Sequence, residues 1–162
     1  MRRIILWILI IIPLLVLATL VFWNKPQSAV EVQPTAILVF FGNTKNDPNV
    51  LDCSVTYSVS RQVVLGDDKY SAVLAELLQG PSETETSAGF FTSINPGLEL
   101  PKITFLNGTL TVDFAPALEV GVGGSCRVLF IRSQIIDTLK QFPEVKEVVI
   151  SIDGRVDDIL QP

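Results

Sequence analysis

The chain of 162 residues contains no histidine. That one absence excludes Ser-His-Asp triads, Cys-His dyads, His-ligated zinc and imidazole acid–base chemistry. Cysteine is nearly as scarce. Cys53 and Cys126 are the only two, and they lie too far apart for a C-x-x-C redox pair or for part of a four-Cys zinc site. Positive charge is also short, with 12 basic residues against 17 acidic and a net charge of −5. Setting aside Arg2 and Arg3 leaves 10 basic against 17 acidic from residue 25 onward, a net charge of −7 with no Lys/Arg cluster. Such a surface excludes nucleic acid as a partner. It also gains little from anionic lipid headgroups or acidic wall polymers.

One long apolar run is present, at the very start. Met1-Arg2-Arg3 precedes Ile4 to Trp23, twenty residues without a charge. At ~1.5 Å per residue this run is roughly 30 Å long as a helix, matching a bilayer's hydrocarbon core. Arg2 and Arg3 before it and only Lys25 closely after it place the N-terminus in the cytoplasm and residues 25–162 outside. A cleaved signal peptide shares the basic start and apolar middle. Against cleavage, the run is longer than a usual signal core, and Gln27 in Gln27-Ser28-Ala29 is bulky where a small residue is wanted. With no Cys nearby, lipoprotein processing is excluded. The expectation is a single-pass anchor over 1–24, with the cytoplasmic membrane as its first partner. A stalk follows over 25–35, rich in Pro, Ser and Gln, then one extracytoplasmic domain over 36–162.

Within that domain, Ala36 to Phe41 is a continuous apolar run and reads as a central strand buried on both faces. Leu51, Cys53, Val55, Tyr57, Val59 and Val63 alternate with polar residues, predicting one long strand with Cys53 on its core side. Asp67-Asp68 offers an N-cap to a helix whose Tyr70, Val73, Leu74, Leu77 and Leu78 share one face, stopped by Gly80-Pro81. Ser82 to Ser87 reads as a polar loop. Asn107-Gly108 joins two alternating runs, a type I′ hairpin in which Phe105 faces Leu110 and Ile103 faces Val112. After the flexible stretch Gly121 to Gly124, Val128, Ile131, Ile135, Leu139 and Phe142 line a second helix closed by Pro143. Val148, Ile150 and Ile152 alternate in a last strand that ends at Asp153-Gly154. This order predicts an α+β fold, a two-layer sandwich with both amphipathic helices on one face of a mixed sheet.

No catalytic constellation assembles from these residues. Glu83, Glu85, Asp113 and Asp153 read as surface or turn carboxylates rather than a glycosidase pair. Asp157-Asp158 lacks calcium-loop spacing, and Gly121 to Ser125 lacks the Lys-Ser/Thr of a phosphate loop. No metal or cofactor is expected. Cys53 and Cys126, in an oxidising compartment, are disulfide candidates; the alternative is two separate buried thiols. Arg61, on an inward strand position, and Arg132, beside the apolar helix face, have two open roles: satisfying backbone carbonyls, or contacting a partner's carboxylate bidentately.

A series of short motifs resembles the GerMN domain of sporulation and spore-germination proteins. These are Leu77-Leu78-Gln79-Gly80-Pro81, Thr92 to Gly97 (TSINPG), Gly108 to Phe114 (GTLTVDF), Ile135 to Val145 (IIDTLKQFPEV) and Ile152-Asp153-Gly154. Asn95 departs from the family, which usually has an aliphatic residue there. The resemblance covers roughly 36–157. It implies an extracytoplasmic bacterial domain, similar in fold to ring-building modules of sporulation channels, with no catalytic residues to carry over. It thus suggests a non-catalytic module contacting envelope proteins or itself. The alternative is a binding module for a small ligand or cell-wall fragment near Ser82–Ile94 and Gly121–Ser125.

Overall fold

The computed structural model describes residues 33–49 and 51–161. The expected anchor over 1–24, and the expected stalk apart from its last three residues, lie outside these. Among the described residues no helix is long and apolar enough to cross a membrane.

The fold is mixed α+β. Strands β1 (Thr35–Asn43), β2 (Tyr57–Val63) and β3 (Phe90–Phe91) form one antiparallel sheet in the order β2-β1-β3. Strands β4 (Lys102–Leu106), β5 (Thr109–Phe114) and β6 (Glu147–Ile152) form a second, in which β5 pairs antiparallel with β4 and parallel with β6. Helix α1 (Lys69–Leu78) packs on β1 and on the long helix α3 (Ser125–Leu139), which also packs against β1 and β6. A short helix α2 (Glu83–Ser87) and a 3-10 turn (Pro116–Leu118) complete the elements.

One apolar core joins the two sheets. Ile37, Val39 and Phe41 of β1, Val73, Leu74 and Leu77 of α1, and Leu110, Val112 and Phe114 of β5 are buried within it. Ile131, Ile135 and Leu139 of α3 and Ile150 and Ile152 of β6 close it. The hairpin has the expected register, Phe105 opposite Leu110 and Ile103 opposite Val112. Asn107 and Gly108 both take positive φ, 52° and 90°, as a type I′ turn demands. Asp68 caps α1 by accepting from Ser71 N, and Gly80 follows at φ 75°.

Four expectations need correction. A single mixed sheet does not form, because the second edge of β1, ahead of its pairing with β3, is taken by side chains of α3 and of Gln141 just after it. The Gln141 carboxamide accepts from Leu38 N at 2.9 Å and donates to Leu38 O at 2.7 Å. Next along the edge, Thr138 Oγ1 accepts from Phe40 N at 3.1 Å and Gln134 Nε2 donates to Phe40 O at 3.4 Å. These groups do for β1 what a neighbouring strand would do, so the ladder cannot continue into the other sheet. Second, β1 is not buried on both faces: Ile37 and Val39 are buried, but Leu38 is 40% exposed. Third, the strand expected from Leu51 begins only at Tyr57, and Cys53 sits in a turn rather than mid-strand. The Asp52 carboxylate accepts from Ser54 N and Oγ, local bonds that favour a turn over a ladder. Fourth, Ser82 to Ser87 is not a loop, because a capping box between Ser82 and Glu85 makes it helical.

Candidate functional site: an apolar groove at the motif residues

An open groove of about 650 Å³ lies beside the end of α1. One wall is the end of α1, with Ala75, Leu77, Leu78, Gln79 and Gly80; the other is the extended stretch carrying Thr92, Ile94, Pro96, Gly97, Leu98 and Leu100. No lining residue is ionisable, so the groove offers apolar contact and a few amide or hydroxyl groups, not acid–base chemistry. The stretch is itself a partition. Its even residues Thr92 and Ile94 face this groove, while Phe91 and Ser93 face a second hollow of about 580 Å³ bounded by Gly123, Gly124, Ser125, Cys126, Arg127 and Phe130. That alternation is the period of extended backbone.

Two polar hubs, one buried and one half-buried, hold the partition. Gln134, fully buried, accepts from Ser93 N at 3.1 Å and shares a hydrogen bond with the Thr92 hydroxyl at 3.0 Å. Asn95 Nδ2 donates to Ala117 O at 2.8 Å and Val120 O at 3.0 Å, while its Oδ1 accepts from Arg127 Nη2 at 2.8 Å. Arg127 also donates to Gly121 O at 2.9 Å. The residue that departs from the family pattern is therefore the knot tying the groove wall to the 3-10 turn and to α3.

Arg61 fixes the other wall, and it takes the internal one of its two roles. Its guanidinium donates to Glu76 O at 2.7 Å and Gly80 O at 2.8 Å, carbonyls at the end of α1. Its remaining N–H groups reach Glu85 at 2.5 and 3.1 Å and the Glu76 carboxylate at 3.2 Å. All five donors are engaged, and the plane lies 5.4 Å from the Phe41 ring centroid. Burial opposes the charge, but the two carboxylates outweigh it and raise the guanidinium above its ordinary value. Hydrogen bonding to Arg61 in turn holds the Glu85 carboxyl below its usual range. Arg61 is thus a strut between β2, α1 and α2. Arg132 is elsewhere: its Nη2 donates to Ile159 O at 3.1 Å, fastening the buried Ile159 and Leu160 of the C-terminal segment.

Of the carboxylates weighed for chemistry, Asp113 and Asp158, like Glu85, have structural partners. Asp113 accepts from Ser151 Oγ at 2.6 Å and Gly154 N at 2.8 Å, bonds that lower its pKa and anchor the turn after β6. Asp158 pairs with Arg155 at 3.1 Å. Cys53 and Cys126 are joined by a disulfide, their Cα atoms 5.1 Å apart across a separation of 73 residues. Among the described residues no group of three potential ligands could hold a metal.

Two small sheets, a long helix with polar residues along one edge and a motif-lined groove define a small mixed α+β domain. Its family follows from a direct match. Residues 38–158 match the family model Germane, described as sporulation and spore germination, and the chain belongs to that family. In fold the chain is similar to the tandem GerMN domains of the sporulation protein GerM from Bacillus subtilis, with a TM-score of 0.58 and 20% identity. That match covers 82% of this chain and 43% of the other, so this chain spans less than half of the tandem protein's length. It is similar also to the first GerMN domain of the same protein, with a TM-score of 0.51 and 14% identity, covering 75% and 85% of the two chains. No curated protein matches.

Proposed function

We propose that this chain is a non-catalytic, membrane-anchored GerMN module that works outside the cytoplasmic membrane by gripping another envelope protein. The observation that carries this is the groove itself: the family's own motif residues, from Leu77 to Gly80 and from Thr92 to Gly97, build a concave apolar surface without an ionisable side chain. Such a surface suits the capture of a partner's apolar side chains. The uncharged run at 4–23 supplies the anchor, 25–35 the stalk and 36–162 the gripping domain, in a single-pass arrangement with the N-terminus inside.

Whole-cell crosslinking with a photoreactive residue at Leu100, which is 54% exposed on the groove rim, tests this directly. The expected outcome is a discrete crosslinked envelope protein that disappears in a Leu98→Glu variant. Crosslinks only to lipid, or none, would overturn the proposal. A second reading, binding of a cell-wall fragment, is favoured by the hollow at Ser93 and Gly123–Ser125, where the Ser93 and Ser125 side chains and Arg127 stand beside the rings of Phe91 and Phe130. Thermal stabilisation of the protein by muropeptides would select it.

A further inference from the structure

We propose that the Cys53–Cys126 disulfide is a thiol-exchange site, opened by a dithiol reductant in the folded protein, rather than an inert staple. Its two ends differ. Cys126 is exposed and occupies the second position of α3, behind Gly124, which supplies no side-chain cap; the first turn carries no acidic residue. With no acidic residue in that turn, its uncapped N–H groups favour the Cys126 thiolate over the thiol. Cys53 is half-buried and belongs to residues 51–56, which have no regular structure. Besides the disulfide, those residues are tied to α3 by the Thr56 hydroxyl donating to Asp137 Oδ2 at 2.6 Å. The charged neighbours are few. Arg127 is committed to carbonyls and Asn95, and the Asp52 carboxylate is held by Ser54.

This asymmetry sets the direction of exchange. A thiolate of the incoming dithiol attacks Cys53 Sγ, the Sγ–Sγ bond breaks, and Cys126 leaves as the thiolate stabilised by the helix. The donor's second thiol then attacks the mixed disulfide and expels Cys53, which takes up a proton. The donor ends as a disulfide, and the protein gains two electrons as two reduced cysteines. The consequence lies beneath the bond. Phe91 and Phe130, whose ring centroids are 5.3 Å apart, line a hollow with Val55 and Tyr57 on one side and another with Cys126 on the other. Exchange frees residues 51–55, leaving Thr56 on Asp137 as the remaining tie to α3, and uncovers these rings.

The test uses the full-length protein in detergent micelles, treated with dithiothreitol or glutathione without denaturant. Mass spectrometry should find the glutathione adduct on Cys53. Hydrogen exchange should rise about tenfold in residues 51–57 while α1 and the β4–β5 hairpin keep their protection. Ser125→Asp, an exposed change placing a carboxylate beside the sulfur, should slow reduction several-fold. Reduction only after global unfolding, an adduct on Cys126, unchanged exchange in 51–57, or equal rates for Ser125→Asp would each overturn the proposal.

Discussion

The two sheets have the same number of strands but are specified by different kinds of information. In the β4–β5–β6 sheet, the turn pair Asn107-Gly108 fixes the hairpin register, and alternation puts Leu110, Val112, Ile150 and Ile152 on the core face. Neighbours in sequence settle the hairpin, and β6 joins it in parallel from 38 residues further on. The β2–β1–β3 sheet depends on partners about 100 positions away: Leu38 on Gln141 and Phe40 on Thr138, each across the edge of β1. Its β2 strand is joined to α1 and α2 through Arg61. One sheet is built on a locally written hairpin, and the free edge of the other is completed only when α3 docks.

If that contrast holds, the largest losses come from the remote polar contacts. Arg61→Met keeps the apolar stem but strands the Glu85 carboxylate and the Glu76 and Gly80 carbonyls. We expect about 3 kcal/mol of destabilisation by urea unfolding, the scale for breaking a buried pair by removing one member. A loss under about 1 kcal/mol would show that solvent replaces the strut. Next, Gln141→Leu removes both bonds to Leu38. It should cost about 2 kcal/mol, because a backbone donor and acceptor lose their partner together. The freed edge should also promote self-association, visible in sedimentation as a concentration-dependent increase in mass.

The same contrast explains what could be read from the sequence. Periodicity placed α1, the hairpin, α3 and β6, because each is a local pattern of apolar residues. It could not place the break between the sheets, which depends on uncharged polar residues in α3 and just after it. Yet a trace was present: Gln134, Thr138 and Gln141 recur at helical spacing beside the apolar stripe, a row that exposed solubilising residues would more often fill with charge. Arg61 was recognised as inward-facing, but its acceptors at Glu76, Gly80 and Glu85 come from two other elements. Arg127 gave no signal, and Asn95 gave one only as a departure from the family. The strand expected from Leu51 failed because alternation cannot weigh a side-chain turn at Asp52 against a ladder whose partner strand ends.

In the locally specified sheet, single changes should cost less and should act through backbone conformation. Gly108→Ala places a Cβ where φ is 90° and where Lys146 Cγ would lie 3.1 Å away. The expected cost is about 1 kcal/mol, measured by the same urea titration. Asn107→Gly, which keeps the positive-φ turn, should change stability by less than about 0.5 kcal/mol. A larger loss there would mean that the turn is held by contacts outside the hairpin, which would weaken the contrast.

The smallest effect is the most specific to the side-chain contacts, because it is read as a pH dependence. Glu144 accepts from Lys69 at 2.5 Å and from the Tyr70 hydroxyl at 3.0 Å, joining the start of α1 to the turn after α3. Chiefly through Lys69, its carboxyl is lowered from 4.5 to about 2. A carboxyl that is more acidic folded than unfolded adds stability above its unfolded value, and that stability is lost as pH falls toward the folded value. Stability should therefore decline between pH 4.5 and about 2, with Glu85, also lowered, declining beneath the same unfolded value of 4.5. Glu144→Gln should flatten part of that slope while leaving stability at pH 7 little changed, since the pair is partly exposed and screened. Glu85→Gln should flatten the slope and also lower stability at pH 7, because its partner Arg61 has side-chain exposure of only 14%. Identical behaviour of the two variants would mean that burial does not separate the Arg61 strut from an ordinary surface ion pair.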